Sequence, residues 1–198
     1  MAKRSKDTLT GGTGDVNPQW LRTQFVTTTA SPGVLSLQIP LPIQRLHNAS
    51  GRAQIVEILK VMWNTDINLL DAGNPMLTYG GYGILSTKQA PAAGLPLFDG
   101  SIIDYVERFV TSSGLLGASS TGNSGWIFET EHPYVHDLTD GAGHGILVAT
   151  DNIFLTSQQV GAGGDENPAT DFSVQAFILY RFKDVSLAEY IGIVQSQQ

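Results

Sequence analysis

Eight short runs rich in apolar and β-branched residues divide this chain, separated by stretches that contain Gly, Pro, Ser or Asn, and that rhythm points to an antiparallel sandwich. The runs are residues 24–30, 34–41, 52–65, 76–86, 102–111, 126–134, 145–158 and 172–183. The last is the clearest: FSVQAFILYRFK alternates through Phe177, Leu179 and Arg181 before a polar tail. Eight strands in 198 residues match a single jelly roll, with two four-stranded sheets packed face to face. The expected fold is all-β: one eight-stranded antiparallel jelly roll over residues 21–198, behind a flexible, weakly basic arm at residues 1–20.

The longest run, RAQIVEILKVMWNT, fits two periods. Strict alternation puts Ile55, Glu57, Leu59, Val61 and Trp63 on one face and Val56, Ile58, Lys60 and Met62 on the other. Ile55, Ile58, Leu59 and Met62 also fit a helix, but the neighbouring strands favour a strand. The glycines of 76–86 are expected to weaken or bulge that strand, and Thr150, Asp151 and Asn152 to bend 145–158. Ser186 and Glu189 have capping-box spacing, and Gly192 is expected to hold any helix there to a short turn. Loops at 66–75, 88–100, 114–125 and 161–170 are expected to project from the ends and edges of the body.

No apolar run approaches the roughly 18 residues of a membrane span, so no membrane partner is expected. The segment MAKRSKDTLTGGTGD lacks the apolar stretch of a secretory signal. Cysteine is absent, which excludes disulfides and thiolate metal sites and fits synthesis in a reducing compartment. The net charge of −7 is unevenly spread. Residues 1–60 hold Lys3, Arg4, Lys6, Arg22, Arg45, Arg52 and Lys60 against Asp7, Asp15 and Glu57, so the rest is strongly acidic. A basic front on an acidic body suggests two surfaces facing different partners.

Metal-capable side chains gather in one segment: Glu129, Glu131, His132, His136, Asp137, Asp140 and His144. Glu129, Glu131, Asp137 and Asp140 are candidates for a structural divalent cation between subunits. The spacing is not HExxH, and the segment reads more readily as a polar turn around Asp140-Gly141. The run DLTDGAGHG lacks the Lys-Ser/Thr of a phosphate loop, and no Ser sits in a G-x-S-x-G elbow. No catalytic residue, cofactor or enzymatic activity is expected. Trp63 and Trp126 sit inside apolar runs and are expected in the core, while Trp20 marks the junction of arm and body. The candidate nucleic-acid contacts are Lys3, Arg4, Lys6, Arg22, Arg45 and Arg52.

The segments HDLTDGAGHGILVATD (136–151) and ILYRFKDVSLAEYIGIVQSQQ (178–198) resemble the capsid proteins of small circular Rep-encoding single-stranded DNA (CRESS-DNA) viruses found in environmental and marine samples. AQIVEILKVMW (53–63) and LSTK (85–88) resemble the same group. The resemblance implies a jelly-roll coat protein without enzymatic activity. Its partners would be further copies of itself, about 60 or a multiple in a small icosahedral shell, and packaged circular single-stranded DNA. It would reside in the virion, and in the host cell, the nucleus included, during assembly. This chain departs from the group's long Arg-rich arm, since only MAKRSK remains. About 60 copies would bring roughly 180 leader charges against about one per nucleotide, far short of neutralising a kilobase-scale genome. The alternative from the residues alone is a lectin-like carbohydrate- or receptor-binding sandwich. A third reading is a cupin-type metalloenzyme, which needs His and Glu ligands from two strands.

Overall fold

The computed structural model describes residues 17–29, 33–41, 52–69, 77–113, 126–131, 134–161 and 170–197. Eleven strands and one helix lie within them. The strands are β1 Gln19–Arg22, β2 Val26–Thr28, β3 Gly33–Pro40, β4 Arg52–Leu69, β5 Leu77–Ser86, β6 Ile102–Ser113, β7 Trp126–Glu131, β8 Val135–Asp137, β9 Ile146–Val148, β10 Asn152–Gly161 and β11 Thr170–Ser186. The helix, α1, is Leu187–Ser196.

Two antiparallel sheets result. In the first, the central pair β11 and β4 is flanked by β1 and β2 on one side and by β8 and β9 on the other. In the second, the order is β3-β10-β5-β6-β7. With β1/β2 and β8/β9 each taken as one broken strand, the chain visits the sheets in the order of a jelly roll. The first sheet reads 1-8-3-6 and the second 2-7-4-5, with β7 added at the edge. The count of eight expected strands therefore agrees with the fold for partly different reasons. The run expected at 126–134 supplies the additional edge strand at Trp126–Glu131, and the expected single strand at 145–158 is two strands. The bend at Thr150–Asn152 carries the chain from β9 in one sheet to β10 in the other. Gln19 and Trp20, inside the span read as arm, pair with Tyr180 and Leu179.

The β4 strand corrects the strict alternation. Leu179 pairs with Lys60 and Tyr180 with Ile58, which leaves Leu59 as an extra residue in a bulge. A bulge shifts the phase of everything beyond it. Val56 and Ile58 therefore share the interior with Val61 and Trp63, while Ile55 and Glu57 face outward. The interior cluster joins these to Phe172, Val174, Ala176 and Ile178 of β11 and to Leu85, Val106, Ile153 and Leu155 of the second sheet. The glycines of β5 do not break its ladder with β6, which is continuous from Leu77 to Leu85. A Cβ on Gly83 would lie 2.9 Å from Val106 and 3.2 Å from the Trp63 ring, so this position admits bulky neighbours.

Both outer faces are partly roofed. Residues 88–100 do not project but fold over the second sheet, where Ala90 and Leu95 bury Ile84. Gly94, at φ +84°, lets that loop approach Gln158, whose Oε1 accepts from the Leu95 N–H at 3.0 Å. On the first sheet, α1 is a full ten-residue helix rather than a short turn. Ser186 caps it by accepting from the Glu189 N–H, and Tyr190, Ile193 and Val194 pack over Ala53, Ile55, Ala149 and Val185. Burial of that apolar face outweighs the cost of Gly192 within a helix. The expected loops at 114–125 and across 162–169 lie outside the described residues.

Candidate functional site

Beyond the reach of α1 and of the 138–145 loop, the outer face of the first sheet is uncovered among the described residues. Paired residues in a ladder share a face, and two neighbouring rows cross all four strands here. One row is Trp20, Leu179, Lys60 and Asp137. The other is Arg22, Phe177, Met62 and Val135. Trp20 is 53% exposed, Met62 38% and Val135 47%. The Arg22 guanidinium lies 5.3 Å from the Phe177 ring centroid, a cation–π distance. The result is a stripe of five apolar residues across the sheet, with Arg22, Lys60 and Asp137 among them. Trp20, Arg22 and Asp137 drew notice in the sequence, each for a different reason, while Leu179, Phe177, Met62 and Val135 were legible only as members of alternating strands.

The neighbouring part of the same face holds a buried charge. Glu57 faces outward yet its side chain is fully enclosed, because the 138–145 loop folds over it. Arg181 Nε donates to Oε2, the Gly145 N–H donates to Oε1 at 3.0 Å, and Lys183 Nζ is 3.6 Å from Oε1. Arg181 also donates to the Gly143 carbonyl at 3.0 Å, and His144 Nδ1 is 4.0 Å from Glu57. Burial pushes the Glu57 carboxyl up, but Arg181, the Gly145 N–H and Lys183 together outweigh it and hold the pKa below the usual 4.5. Sequence reasoning passed over Glu57 as a site residue. The available signal was a lone acid inside IVEILKVMW.

Asp104 joins the sheets at one edge. It accepts from Trp63 Nε1 at 2.8 Å and contacts His136 Nδ1 at 2.8 and 2.9 Å. Trp63 and His136 belong to the first sheet and Asp104 to the second, so this carboxylate is a strut between layers. A half-open cavity of about 210 Å³ lies beside it, lined by Asp104, Tyr105, Glu107 and His136.

The expected site residues fall in several places. Lys3, Arg4, Lys6 and Arg45 lie outside the described residues. Arg22 stands on the stripe. Arg52 is exposed at the far end of β4, opposite Ser186. Met62, in the row of Arg22, is ten positions along β4 from Arg52, about 30 Å in a strand. The structure does not bring these two arginines together. Glu129 and Glu131 lie on β7 of the second sheet, in register with Val110 and Arg108. Asp137 and Asp140 lie on and after β8 of the first. Asp137 accepts from the Thr139 N–H and hydroxyl, and Asp140 from the Ala142 and His144 N–H groups. These bonds hold both carboxyls below their ordinary range. Gly141 and Gly143, at φ +80° and +88°, complete a polar turn. Among the described residues no group of three or more His, Asp or Glu is placed to hold a metal ion.

No protein-family model and no curated protein matches this sequence. Among solved structures it is similar to the VP1 protein of Trichodysplasia spinulosa-associated polyomavirus in complex with 3′-sialyllactose. The identity is 11%, with 87% of this chain and 98% of that one covered and a TM-score of 0.44. It is similar to Merkel cell polyomavirus VP1 in complex with GD1a oligosaccharide at 9% identity, with 88% and 98% covered and a TM-score of 0.46. Human polyomavirus 12 VP1 in complex with 3′-sialyllactosamine gives 14%, 85% and 99%, and 0.40. All three scores lie below one half, and likenesses at that level carry no argument about what this chain does.

Proposed function

We propose that this chain is a viral capsid protein that assembles with copies of itself into a small icosahedral shell around circular single-stranded DNA. A jelly roll alone does not select this reading, since capsids, lectins and cupins share it. The observation that carries it is the open stripe of Trp20, Phe177, Leu179, Met62 and Val135 across the first sheet. Contiguous apolar surface of this kind marks an interface in a soluble protein. Closed symmetry repeats each contact many times, so a modest patch suffices. The DNA cargo rests on the sequence resemblance and on the basic residues of the first third of the chain, Arg22 among them.

A second reading has one observation in its favour. The cavity beside Asp104 joins a Tyr105 ring, 40% exposed, to carboxylate and imidazole groups, a combination that suits a sugar. Negative-stain microscopy and light scattering of the purified full chain separate the two. Discrete particles of megadalton mass are expected. A stable monomer at high concentration that retains a glycan would overturn the capsid reading.

A further inference from the structure

Among the described residues the two sheets have four edges, and three carry features that discourage pairing with another chain. In the first sheet, β1 and β2 have four and three residues, are interrupted at 23–25, and include Arg22. At its other edge β8 and β9 have three residues each, and Asp137 closes β8. In the second sheet, β7 carries Glu129 and Glu131 within six residues. Short, broken or charged edges are how sheets avoid adding foreign strands. The fourth edge, β3, has none of these. It is eight residues long, unbroken and without charge (GVLSLQIP), with its one proline at the last position. All eight residues are in register with β10, and among the described residues no other strand pairs with β3. Leu35, in its middle, is 50% exposed.

We infer that β3 pairs antiparallel with β3 of a second copy about a two-fold axis, making one continuous sheet across two subunits. An uncharged strand is self-complementary, because the axis brings no like charges together. A register centred on Ser36 sets Leu35 opposite the second copy's Leu37 and Val34 opposite its Gln38. That covers the exposed leucine and satisfies the outward backbone groups. An axis normal to the sheet keeps both inner faces on one side. A groove of about 240 Å³ between Leu37–Pro40 and Arg22–Gln24 lies beside the C-terminal half of the strand. The inference rests on the shell reading and names one of its contacts.

The absence of native cysteine gives a clean test. Residues opposite each other across an antiparallel two-fold lie within disulfide reach. Ser36→Cys, assembled and mildly oxidised, is expected to give covalent dimers on a non-reducing gel, at several-fold the yield of Ala188→Cys on exposed α1. Leu35→Lys, which places like charges near the axis, is expected to shift light scattering from particles to smaller species while keeping its β circular dichroism. If Leu35→Lys fails to fold, the Ser36→Cys yield decides. A wild-type chain that assembles, with Ser36→Cys linking no better than Ala188→Cys, overturns the β3 pairing and leaves the shell reading intact. A wild-type chain that never associates overturns both.

Discussion

Glu57 of β4 and Arg181 of β11 are register partners, and their ion pair lies on an outer sheet face where the 138–145 loop shuts the carboxylate off from solvent. The carboxylate thereby anchors a loop to a strand. Gly145 donates to Glu57, and Arg181 reaches past it to the Gly143 carbonyl. Lys183 stands close enough to share the charge.

Replacing Glu57 with Gln should leave Arg181 and Lys183 without their counter-charge and cost about 2–3 kcal/mol at pH 7. The pH dependence follows from the lowered Glu57 pKa. A carboxyl depressed in the folded state contributes stability that is full above its unfolded pKa and lost as pH falls through the folded one. Urea denaturation should therefore show a constant gap between wild type and Glu57→Gln near neutrality. The gap should narrow below the ordinary 4.5 and close once the carboxyl is protonated. A gap as wide at pH 2 as at pH 7 would contradict the pairing.

Gly83→Ala should destabilise the sandwich by about 1–3 kcal/mol through overpacking. Its added Cβ meets methyls of Val106 and Val174 at 2.9 and 3.0 Å, one from each sheet, and neither can swing away cheaply. Gly100→Ala is the control, because nothing lies within 4 Å of a Cβ there. Thermal melting of the two variants should separate them clearly.

The legible part of this fold was what alternation and turn residues dictate. The two central strands, β4 and β11, emerged because each is long and buried on one whole face. The phase of β4 did not, because a bulge at Leu59 depends on pairing with Leu179 and Tyr180 more than a hundred residues away. The break between β9 and β10 was visible as a bend at Thr150–Asn152, but not the change of sheet, which tertiary packing decides. The helix was underestimated for a related reason. Local propensity sees Gly192, while the apolar patch that Tyr190, Ile193 and Val194 cover is made by β4, β9 and β11. The sites divide similarly. The Asp137–His144 turn was readable from its glycines and acids, whereas the stripe and the Glu57 pair exist only once register aligns distant strands.

Deleting residues 1–6 should lower the nucleic-acid content of particles more than it lowers their yield. Lys3, Arg4 and Lys6 offer three phosphate contacts per copy. Their loss should reduce the slope of log affinity against log salt for single-stranded DNA by about 2. The absorbance ratio of purified particles reads the first effect and fluorescence titration the second. An unchanged ratio and slope would remove the leader from packaging.

The stripe makes the sharpest demand on assembly. Met62 sits between Phe177 and Val135 in its row and is 38% exposed, so a charge there is hydrated in the monomer. Met62→Glu should change monomer stability by about 0.5 kcal/mol or less. In an interface the same carboxylate would lose its water among apolar groups, at a cost of several kcal/mol per contact that Lys60 and Arg22 nearby would offset only in part. Every copy in a closed shell repeats that contact, so even a moderate penalty compounds across the particle. Phe98→Glu, on a residue 90% exposed in the loop over the other sheet, provides the matched control. Light scattering should find Phe98→Glu in particles and Met62→Glu in small soluble species with an unaltered melting curve. Particles of Met62→Glu in wild-type yield would mean that this face looks onto solvent.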